Sequence, residues 1–433
     1  MFLDPDTLHD LEILPSATKH GATVWSLIDR TNTRVGRAAL HRRLKAIPDS
    51  ADDIIALQVA HQTIAAAPGW YRTLLDRSDP DAVEEYLDGS WQLPSQMEWL
   101  AWRRRWYRDY WRDVEYGRRR IRNLLIAAAE LRDSLEATES AHLKTIARQI
   151  SDLLNTSEMR ALLRLSTATS SASWRGFDQL ARDDGKPTIL SVLHCMGEVE
   201  ALWSVAIATI EHQWAYPRPG ARLAISGLFH PFLGRDSVPN DLDIAQEVHV
   251  CFVTGPNMAG KTTFMKAVAI ALLLAHIGCG VPAATMEFPV VGTIFSSIDI
   301  ADNLNAGESF YLVEVRRIRA LAMALSEHGS GLAVIDEPFR GTNVHDAAEA
   351  TIATLTRLAT LPVGLVLVAS HVAEAVSALR DSPRILLVHF SAEVANDQPR
   401  FDYKLRAGVS TQRLGMTLLK QERVLEFLER LAE

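Results

Sequence analysis

A glycine-rich loop between a strand-like run and a helix-like run limits the folds open to this chain more than any other feature. Residues 255–262 read GPNMAGKT and fit the pattern G-x-x-x-x-G-K-[ST], with VHVCFVT before them and TFMKAVAIALLLAHI after them. In that context the backbone N–H groups of the loop and the positive end of the following helix bind phosphate groups. The sequence therefore predicts a P-loop at the edge of a parallel sheet, with a nucleotide as ligand.

The residues around this loop predict two domains of different class. Up to about residue 196 apolar residues recur at three- and four-residue spacing, which is typical of helices. After YPRPG, four further apolar runs alternate with helical stretches, and they read FPVVGTIFSSI, GLAVIDEP, VGLVLVAS and RILLVHF. Such alternation indicates a mainly parallel sheet covered by helices on both faces. We predict a helical domain over 1–196, with a shortened arm over about 91–165, and an α/β P-loop domain over 197–433.

Five side chains are candidates for the chemistry of the site. Two belong to the loop, and three follow the ends of predicted strands. Lys261 would place its charge on the β- and γ-phosphate oxygens, and the Thr262 hydroxyl would be a Mg²⁺ ligand. Carboxylates near a core are costly without a role, so we expect Asp336 to hold Mg²⁺ through water and Glu337 to orient or deprotonate the attacking water. His371 follows the next strand, where it is either a γ-phosphate sensor or an ordinary surface or core histidine.

The segment ADNLNAGESFYLVEVRRI, residues 301–318, opens an amphipathic helix with a short polar loop. Ser309 near the helix start can be a plain N-cap. A small hydroxyl and exposed N–H groups at a helix start can instead bind an anion. Because this helix start lies far from the P-loop in sequence, the second interpretation has it serve a nucleotide held by another subunit.

The net charge, the cysteines and the apolar segments indicate the compartment of the protein and exclude some classes of ligand. The net charge is −8, which argues against a chain that coats nucleic acid indiscriminately. Cys195, Cys251 and Cys279 are three in number and far apart, which fits a reducing compartment and no metal site. The acidic start lacks the pattern of a secretory signal, and the long apolar run from Ala267 follows the P-loop as a buried helix would. We therefore expect a cytoplasmic protein with no transmembrane segment.

One segment departs from the acidic average. Residues 102–122 carry nine arginines against three acids. Aromatic residues at helical spacing lie on one face of this segment: Trp99, Trp102, Trp106 and Tyr110. The arginines can hold nucleic-acid phosphates while the aromatics stack on bases, or the aromatics can be a packing face beside solvated arginines, or the helix can lie on a membrane. The residues that would bind nucleic acid are Arg103, Arg104, Arg105 and Arg108.

Taken together, these motifs resemble the MutS family of DNA mismatch-repair ATPases, a branch of the ABC-type nucleotide-binding fold. The resemblance depends on TGPNMAGKTTFMKAVAIALLLAHIGCGVPA, DNLNAGESFYLVEV, VIDEPFRGTNVHD and ASH, in that order. It implies a helical core- and lever-like domain before an ABC-type ATPase domain. LHDLEIL and SLIDRTNTRVGRAALHRRL near the N-terminus are similar to the start of the family's helical core.

The resemblance also implies roles for individual residues. It implies a homodimer that hydrolyses ATP with Mg²⁺, in which Gly307 and Ser309 reach the γ-phosphate of the partner subunit. Asp336 and Glu337 would be the Walker B pair, and His371 the switch histidine. Residues 340–342 and 346 would lie at the nucleotide-sandwich interface. The residues that would contact the nucleotide are Gly255, Pro256, Asn257, Met258, Ala259, Gly260, Lys261, Thr262 and Thr263.

Departures from the family pattern modify this expectation. The chain starts at the helical core, so the mismatch-reading and connector domains are expected to be absent, and branched or distorted DNA is the expected ligand. Ser237 stands where many members have an aromatic that stacks on adenine, and Tyr403 is the candidate substitute. The alternative is a MutS-like ATPase that acts on a protein complex or on a membrane surface.

Overall fold

The computed structural model describes residues 1–15, 21–89, 108–298, 310–361, 364–395, 398–410 and a few positions beyond 410. Its contacts divide the chain into two compact units. The sheet unit comprises Met1–Leu27, Ile47–Ile54 and His212–Glu433, and the helical unit comprises Ile28–Ala46 and Ile55–Glu211.

Fifteen helices are assigned in the described part of the chain. Their bounds are α1 Pro5–Asp10, α2 Val24–Ile28, α3 Arg34–Lys45, α4 Ala51–Ala65, α5 Pro68–Ser78, α6 Pro80–Asp88, α7 Arg108–Glu136, α8 Ala141–Leu154, α9 Ser157–Thr167, α10 Ser171–Arg182, α11 Lys186–Glu211, α12 Lys261–His276, α13 Phe310–His328, α14 Val344–Thr360 and α15 Ala373–Leu379.

The strands form three sheets. Their bounds are β1 Phe2–Leu3, β2 Arg218–Pro219, β3 Leu223–Leu228, β4 Asn240–Ile244, β5 Val250–Thr254, β6 Thr285–Phe288, β7 Thr293–Ser297, β8 Gly331–Asp336, β9 Leu365–Ala369, β10 Ile385–His389, β11 Ala392–Ala395, β12 Gln398–Phe401 and β13 Arg406–Ala407. The main sheet has the order β1-β7-β8-β9-β5-β10-β13. All its pairings are parallel except that of β10 with β13. The prediction of a mainly parallel sheet is confirmed.

The centre of the main sheet explains why the site lies where it does. Strands β5 and β9 are buried throughout, and β8 is buried except at its last residue, as expected for strands covered on both faces. The three strands are parallel neighbours, so their carboxyl ends meet at one edge. The P-loop, the pair Asp336 and Glu337, and His371 therefore follow adjacent strands at the same edge.

The first ten residues belong to the sheet unit, whereas the sequence analysis predicted helical structure throughout residues 1–196. Phe2 and Leu3 form an edge strand parallel to β7. Asp10 is buried and accepts hydrogen bonds from the Ser296 hydroxyl at 2.8 Å and from the Ile298 N–H at 2.9 Å. The boundary predicted between residues 196 and 197 falls inside α11, since that helix continues to Glu211.

The helical unit is built around α11. Its helices share one core that includes Leu74, Leu124 and Phe177. Helices α3 and α11 approach closely at Gly197, where an added Cβ would lie 2.7 Å from the Val35 carbonyl oxygen. Small residues at such a crossing allow two backbones to pack directly against each other.

Helix α11 is also the single helix, within the described ranges, that is long and apolar enough to cross a membrane by length and composition. Its apolar window is 78% buried inside the structure. A helix that covers its apolar surface with protein has the character of a core helix.

A buried polar cluster joins α6, α7 and α10 in the helical unit. Asp178 is 2% exposed. Its carboxylate accepts hydrogen bonds from Tyr86 Oη at 2.6 Å, from Tyr110 Oη at 3.1 Å and from Arg182 Nε at 2.8 Å. Arg182 also pairs with Asp113 at 2.7 Å. Burial raises the pKa of both tyrosines, so their hydroxyls remain donors. We call these five residues the Asp178 cluster.

Candidate active site

The P-loop has the backbone that its glycines allow. Gly255 has φ +140°, and an added Cβ there would lie 2.6 Å from the Phe390 carbonyl oxygen, so only glycine fits. Gly260 has φ +100° and immediately precedes α12, while Met258 takes the left-handed conformation with φ +67°. The loop therefore turns sharply from β5 into the start of α12, as a phosphate-binding loop requires.

Lys261 lies at the first position of α12 and is 5% exposed. Its Nζ donates hydrogen bonds to the carbonyl oxygens of Gly255 at 2.9 Å and Pro256 at 3.2 Å. Burial lowers the pKa of Lys261, and the charges of Glu337 and Asp336 oppose that shift. The ammonium group is thus held inside the loop, next to two carboxylates and within reach of an anion.

Thr262 and Asp336 form a pair of oxygen donors. The Thr262 hydroxyl donates a hydrogen bond to Asp336 Oδ2 at 2.5 Å. Burial raises the pKa of Asp336, and the hydrogen bond from Thr262 opposes that shift. Hydroxyl and carboxylate oxygens are the ligands that Mg²⁺ prefers, so the chemistry of this pair fits the ion that the family resemblance implies.

Glu337 and His371 are brought together by neighbouring strand ends. His371 Nδ1 lies 3.3 Å from Glu337 Oε1, and the histidine side chain is 65% exposed. Glu337 has φ +48° and its N–H donates to the Ala369 carbonyl oxygen at 2.9 Å. A glutamate in the left-handed region is uncommon, and such strain persists where the surrounding structure holds it.

A cavity of about 600 Å³ connects these groups, within the range of about 300–1,000 Å³ found for small-molecule sites. The structure brings nine residues of the predicted site to its wall: Asn257, Met258, Gly260, Lys261, Thr262, Thr263, Asp336, Glu337 and Tyr403. Gly255, Pro256 and Ala259 belong to the loop but are not among the cavity residues, and His371 reaches the site through Glu337.

The cavity is also lined by residues that sequence reasoning did not single out, including Phe229, His230, Leu233 and Asn240. Burial lowers the pKa of His230 to about 4, with a further contribution from Lys266, so the ring is neutral at pH 7. Asn240 donates to the Tyr403 carbonyl oxygen at 3.0 Å and accepts from the Leu405 N–H at 2.7 Å. This wall is assembled from segments far apart in the chain.

Ser237 and Tyr403 both line the cavity. The Ser237 hydroxyl accepts a hydrogen bond from the His230 N–H at 2.9 Å, so it holds the loop that follows β3. The Tyr403 ring approaches Gly260, where an added Cβ would lie 3.3 Å from a ring carbon. A flat aromatic surface therefore lies beside the P-loop.

Several predicted residues lie outside the described part of the chain. Gly307 and Ser309 are among them, as are Arg103, Arg104 and Arg105; Arg108 begins α7, but its side chain is not described. Asp346 lies in the first turn of α14, where its carboxylate accepts from Asn343 Nδ2 at 2.7 Å.

The described half of the arginine-rich segment packs as a core helix. Tyr110 and Trp111 of α7 are 2% and 8% exposed, and they form a small apolar cluster with Val114 and Trp174. Arg112 and Arg119 are exposed and lie beside Asp109 at 2.8 Å and Glu115 at 4.0 Å. The Tyr110 and Trp111 rings thus pack against protein, which agrees with the packing interpretation, whereas Tyr116 is 41% exposed.

Comparison with known proteins shows what the chain is similar to. Residues 251–426 match the family model described as MutS domain V. The DNA mismatch repair protein MutS 2 of Halobacterium salinarum is 31% identical over 234 residues, 53% of this chain. The DNA mismatch repair protein MutS 1 of Haloarcula marismortui is 27% identical over 373 residues, 83% of this chain. Residues 251–426 of the chain are therefore similar to MutS domain V, and a longer part of the chain is similar to DNA mismatch repair proteins named MutS.

The MutS relatives are longer than this chain. The aligned regions are 27% of the Halobacterium protein and 40% of the Haloarcula protein. The DNA mismatch repair protein MutS of Geobacillus kaustophilus is 32% identical over 240 residues, 53% of this chain and 26% of that relative. The chain thus spans at most two fifths of the length of these curated MutS proteins.

Proposed function

We propose that this chain is a MutS-type ATPase that binds DNA and hydrolyses ATP at sites shared between two copies of itself. One observation carries the proposal. The P-loop lysine, a hydroxyl–carboxylate pair for Mg²⁺ and a glutamate–histidine pair meet at one sheet edge and line or adjoin one cavity of about 600 Å³. The match to MutS domain V over residues 251–426 supports it.

Each residue at this edge has a task in the proposed reaction. Lys261 and the loop N–H groups bind the phosphates and neutralise their charge. Thr262 and Asp336 hold Mg²⁺, which when bound draws charge from the phosphate oxygens. Glu337 accepts a proton from, or orients, the attacking water, and His371 beside it donates a hydrogen bond to the terminal phosphate. Tyr403 offers a face to the base.

The proposed site is completed by a second copy of the chain, through Gly307 and Ser309 of the partner subunit. Helix α13 begins at Phe310, directly after Ser309, and its first turn packs beside the loop after Asp336 and Glu337. Closure of the dimer on ATP would change the grip of the helical region on DNA. The names of the three relatives, all DNA mismatch repair proteins, support DNA as the partner. We propose branched or distorted DNA and a cytoplasmic location.

The decisive variant for the ATPase proposal is Glu337→Gln. It removes the base while keeping the size of the side chain, so ATP should still bind and turnover should fall by about 100-fold or more. ATP should then hold the variant as a stable dimer, which analytical ultracentrifugation detects. Turnover at the wild-type rate, or a monomer with ATP bound, contradicts the proposal.

The DNA proposal needs its own test. Gel shifts with duplex, single-stranded and junction DNA over a salt series measure both affinity and the number of phosphate contacts. Replacing Arg103, Arg104, Arg105 and Arg108 by alanine should lower the affinity and the salt slope. If no DNA binds or alters ATP turnover at low salt, the DNA assignment is wrong.

The second candidate function keeps the ATPase and makes its target a protein complex or a membrane surface. The packing of Tyr110 and Trp111 favours it, because these two buried rings cannot stack on bases. Under this candidate the four arginine replacements leave DNA affinity and its salt slope unchanged. The same gel-shift series therefore separates the two functions.

A further inference from the structure

Glu314 is a buried acid that the proposed reaction does not use. It lies one turn inside α13 and is 3% exposed. Its two carboxylate oxygens accept hydrogen bonds from consecutive backbone N–H groups, Oε1 from Arg340 at 3.1 Å and Oε2 from Gly341 at 3.0 Å. A buried carboxylate is retained where both oxygens are satisfied in this way.

The loop that Glu314 holds is the continuation of the site. Asp336 and Glu337 line the cavity and Arg340 lines it as well. Between them Phe339 also takes the left-handed conformation, with φ +62°, and is 4% exposed. Two non-glycine residues with positive φ in three positions form a strained turn, which persists only while surrounding contacts fix it.

The same loop packs directly on the first residues of α13. An added Cβ at Gly341 would lie 2.7 Å from the Tyr311 backbone nitrogen and 2.7 Å from a ring carbon of Phe310. The Arg340 guanidinium lies 5.2 Å from the centroid of the Phe310 ring. Contacts this close leave no room for the helix start and the loop to move independently.

We propose that Glu314 is a positioning residue that couples the start of α13 to the catalytic carboxylate Glu337 of the same chain. This deepens the proposed function and rests on it. A shift of the helix start on engagement with a second copy then moves the two N–H groups that Glu314 holds, and with them the strained turn and Glu337. In this arrangement the hydrolytic geometry of one site responds to the contact that the same chain makes with its partner's site.

The test is Glu314→Gln in the full chain. A glutamine has one acceptor oxygen and turns an N–H₂ group toward the second N–H donor, so the turn loses a hydrogen bond with little change in volume. Because a misplacement of about 1 Å can cost about 100-fold, we expect the maximal turnover rate to fall by about tenfold to 100-fold. The affinity for a fluorescent ATP analogue should remain within about twofold, since the P-loop is untouched.

Four further variants show whether the effect is specific. Glu327→Gln makes the same charge change at an exposed position of the same helix and should leave turnover unchanged. Gly341→Ala pushes the loop from the helix start and should reproduce the loss of turnover. The double variant of Glu314→Gln and Gly341→Ala should lose no more than the larger single variant, because both break one contact. Glu314→Asp keeps the negative charge, but its shorter side chain cannot extend to both N–H groups. Its turnover rate should therefore also be lower than that of the wild type.

The outcomes separate this inference from the ATPase proposal. If the wild type hydrolyses ATP, Glu337→Gln does not, and both Glu314→Gln and Gly341→Ala hydrolyse it at the wild-type rate, the coupling role is wrong and the ATPase stands. A loss of ATP-analogue affinity in parallel with turnover also overturns the coupling role, since it indicates a general structural defect. If Glu337→Gln hydrolyses ATP like the wild type, the ATPase proposal itself fails.

Discussion

The P-loop cavity of the sheet unit and the Asp178 cluster of the helical unit both contain charged and polar side chains, but only the first surrounds an open volume. In the Asp178 cluster, the carboxylate takes three donors and Arg182 reaches a second acid. In the cavity, Lys261 is satisfied by loop carbonyls while Asp336, Glu337 and Arg340 line a volume large enough for a ligand. Polar groups that satisfy one another stabilise a fold, whereas polar groups turned toward a cavity can bind and react.

The largest expected effect tests the cavity side of this comparison. Lys261→Ala removes the charge held beside the two carboxylates, and we expect ATP turnover to fall by about 1,000-fold, or about 4 kcal/mol of transition-state stabilisation. The free energy of unfolding should change by less than about 1 kcal/mol, because the relief from burying the ammonium group offsets the loss of its hydrogen bonds to the Gly255 and Pro256 carbonyls. Steady-state turnover and urea denaturation measure the two quantities. Lys266→Ala on the same helix is the control and should retain turnover.

The next effect tests the Asp178 cluster. Asp178→Ala removes the carboxylate that accepts from the Tyr86 and Tyr110 hydroxyls and from Arg182 Nε, and we expect it to lower the free energy of unfolding by about 3 kcal/mol. The affinity for an ATP analogue should be unchanged, because the cluster belongs to the helical unit. Urea denaturation followed by tryptophan fluorescence measures the loss. The exposed control Asp184→Ala should change stability by under about 0.5 kcal/mol, and an equal loss in both variants would contradict the cluster's role.

A smaller effect comes from His276, a buried polar group of the sheet unit outside the cavity. Its Nδ1 lies 2.8 Å from the Leu272 carbonyl oxygen, and its Nε2 accepts from the Val291 N–H at 3.0 Å, so the ring is neutral. Burial lowers its pKa to about 4. Because the folded pKa lies below the unfolded value, this stability is present above about pH 6.5 and is lost as the pH falls toward 4.

The loss from His276 amounts to about 2 kcal/mol between pH 8 and pH 5. Urea denaturation of the wild type and of His276→Gln at both pH values measures it, since the variant lacks this titration. The difference between the two proteins should shrink by that amount at pH 5. Parallel pH dependence in the two proteins would show that the ring does not titrate as the structure requires.

The smallest effect belongs to the exposed arginines of α7. Arg119 is 73% exposed in its side chain and lies 4.0 Å from Glu115, and such pairs contribute little. Arg119→Ala should therefore change the free energy of unfolding by less than about 0.5 kcal/mol. A loss above about 1 kcal/mol in urea denaturation would mean that the Arg119 face of α7 packs against protein. That face would then be a third group of polar side chains to compare with the cavity and the Asp178 cluster.

Sequence reasoning succeeded where a pattern repeats or a backbone is constrained. Strands β5, β7, β8, β9 and β10 were predicted because continuous apolar runs are typical of strands buried on both faces. It missed β1, since a two-residue strand has no period and Phe2 and Leu3 pair with residues 293 and 294 far along the chain. The boundary predicted between residues 196 and 197 lies within α11, because that helix continues through Gly197 to Glu211.

The candidate site divides in the same way. The P-loop and the carboxylates Asp336 and Glu337 were predicted from short motifs, and the structure places them on one cavity. Glu314 gave no signal, because a single acid within an amphipathic helix looks like a solvated residue until the loop it holds is seen. His230 and Asn240 were missed for a related reason, since only the fold brings them to the cavity wall and joins Asn240 to the Tyr403 carbonyl.

By itself the sequence predicted the class of the sheet, the P-loop and the resemblance to MutS proteins, because these depend on local patterns and on backbone conformations that few residues can adopt. Only the tertiary structure decided which polar groups face a cavity and which satisfy one another. That difference arises from contacts between residues distant in the chain, such as Tyr110 with Asp178 and Glu314 with Gly341. Burial and hydrogen-bond partners are properties of the assembled fold, and no local pattern specifies them.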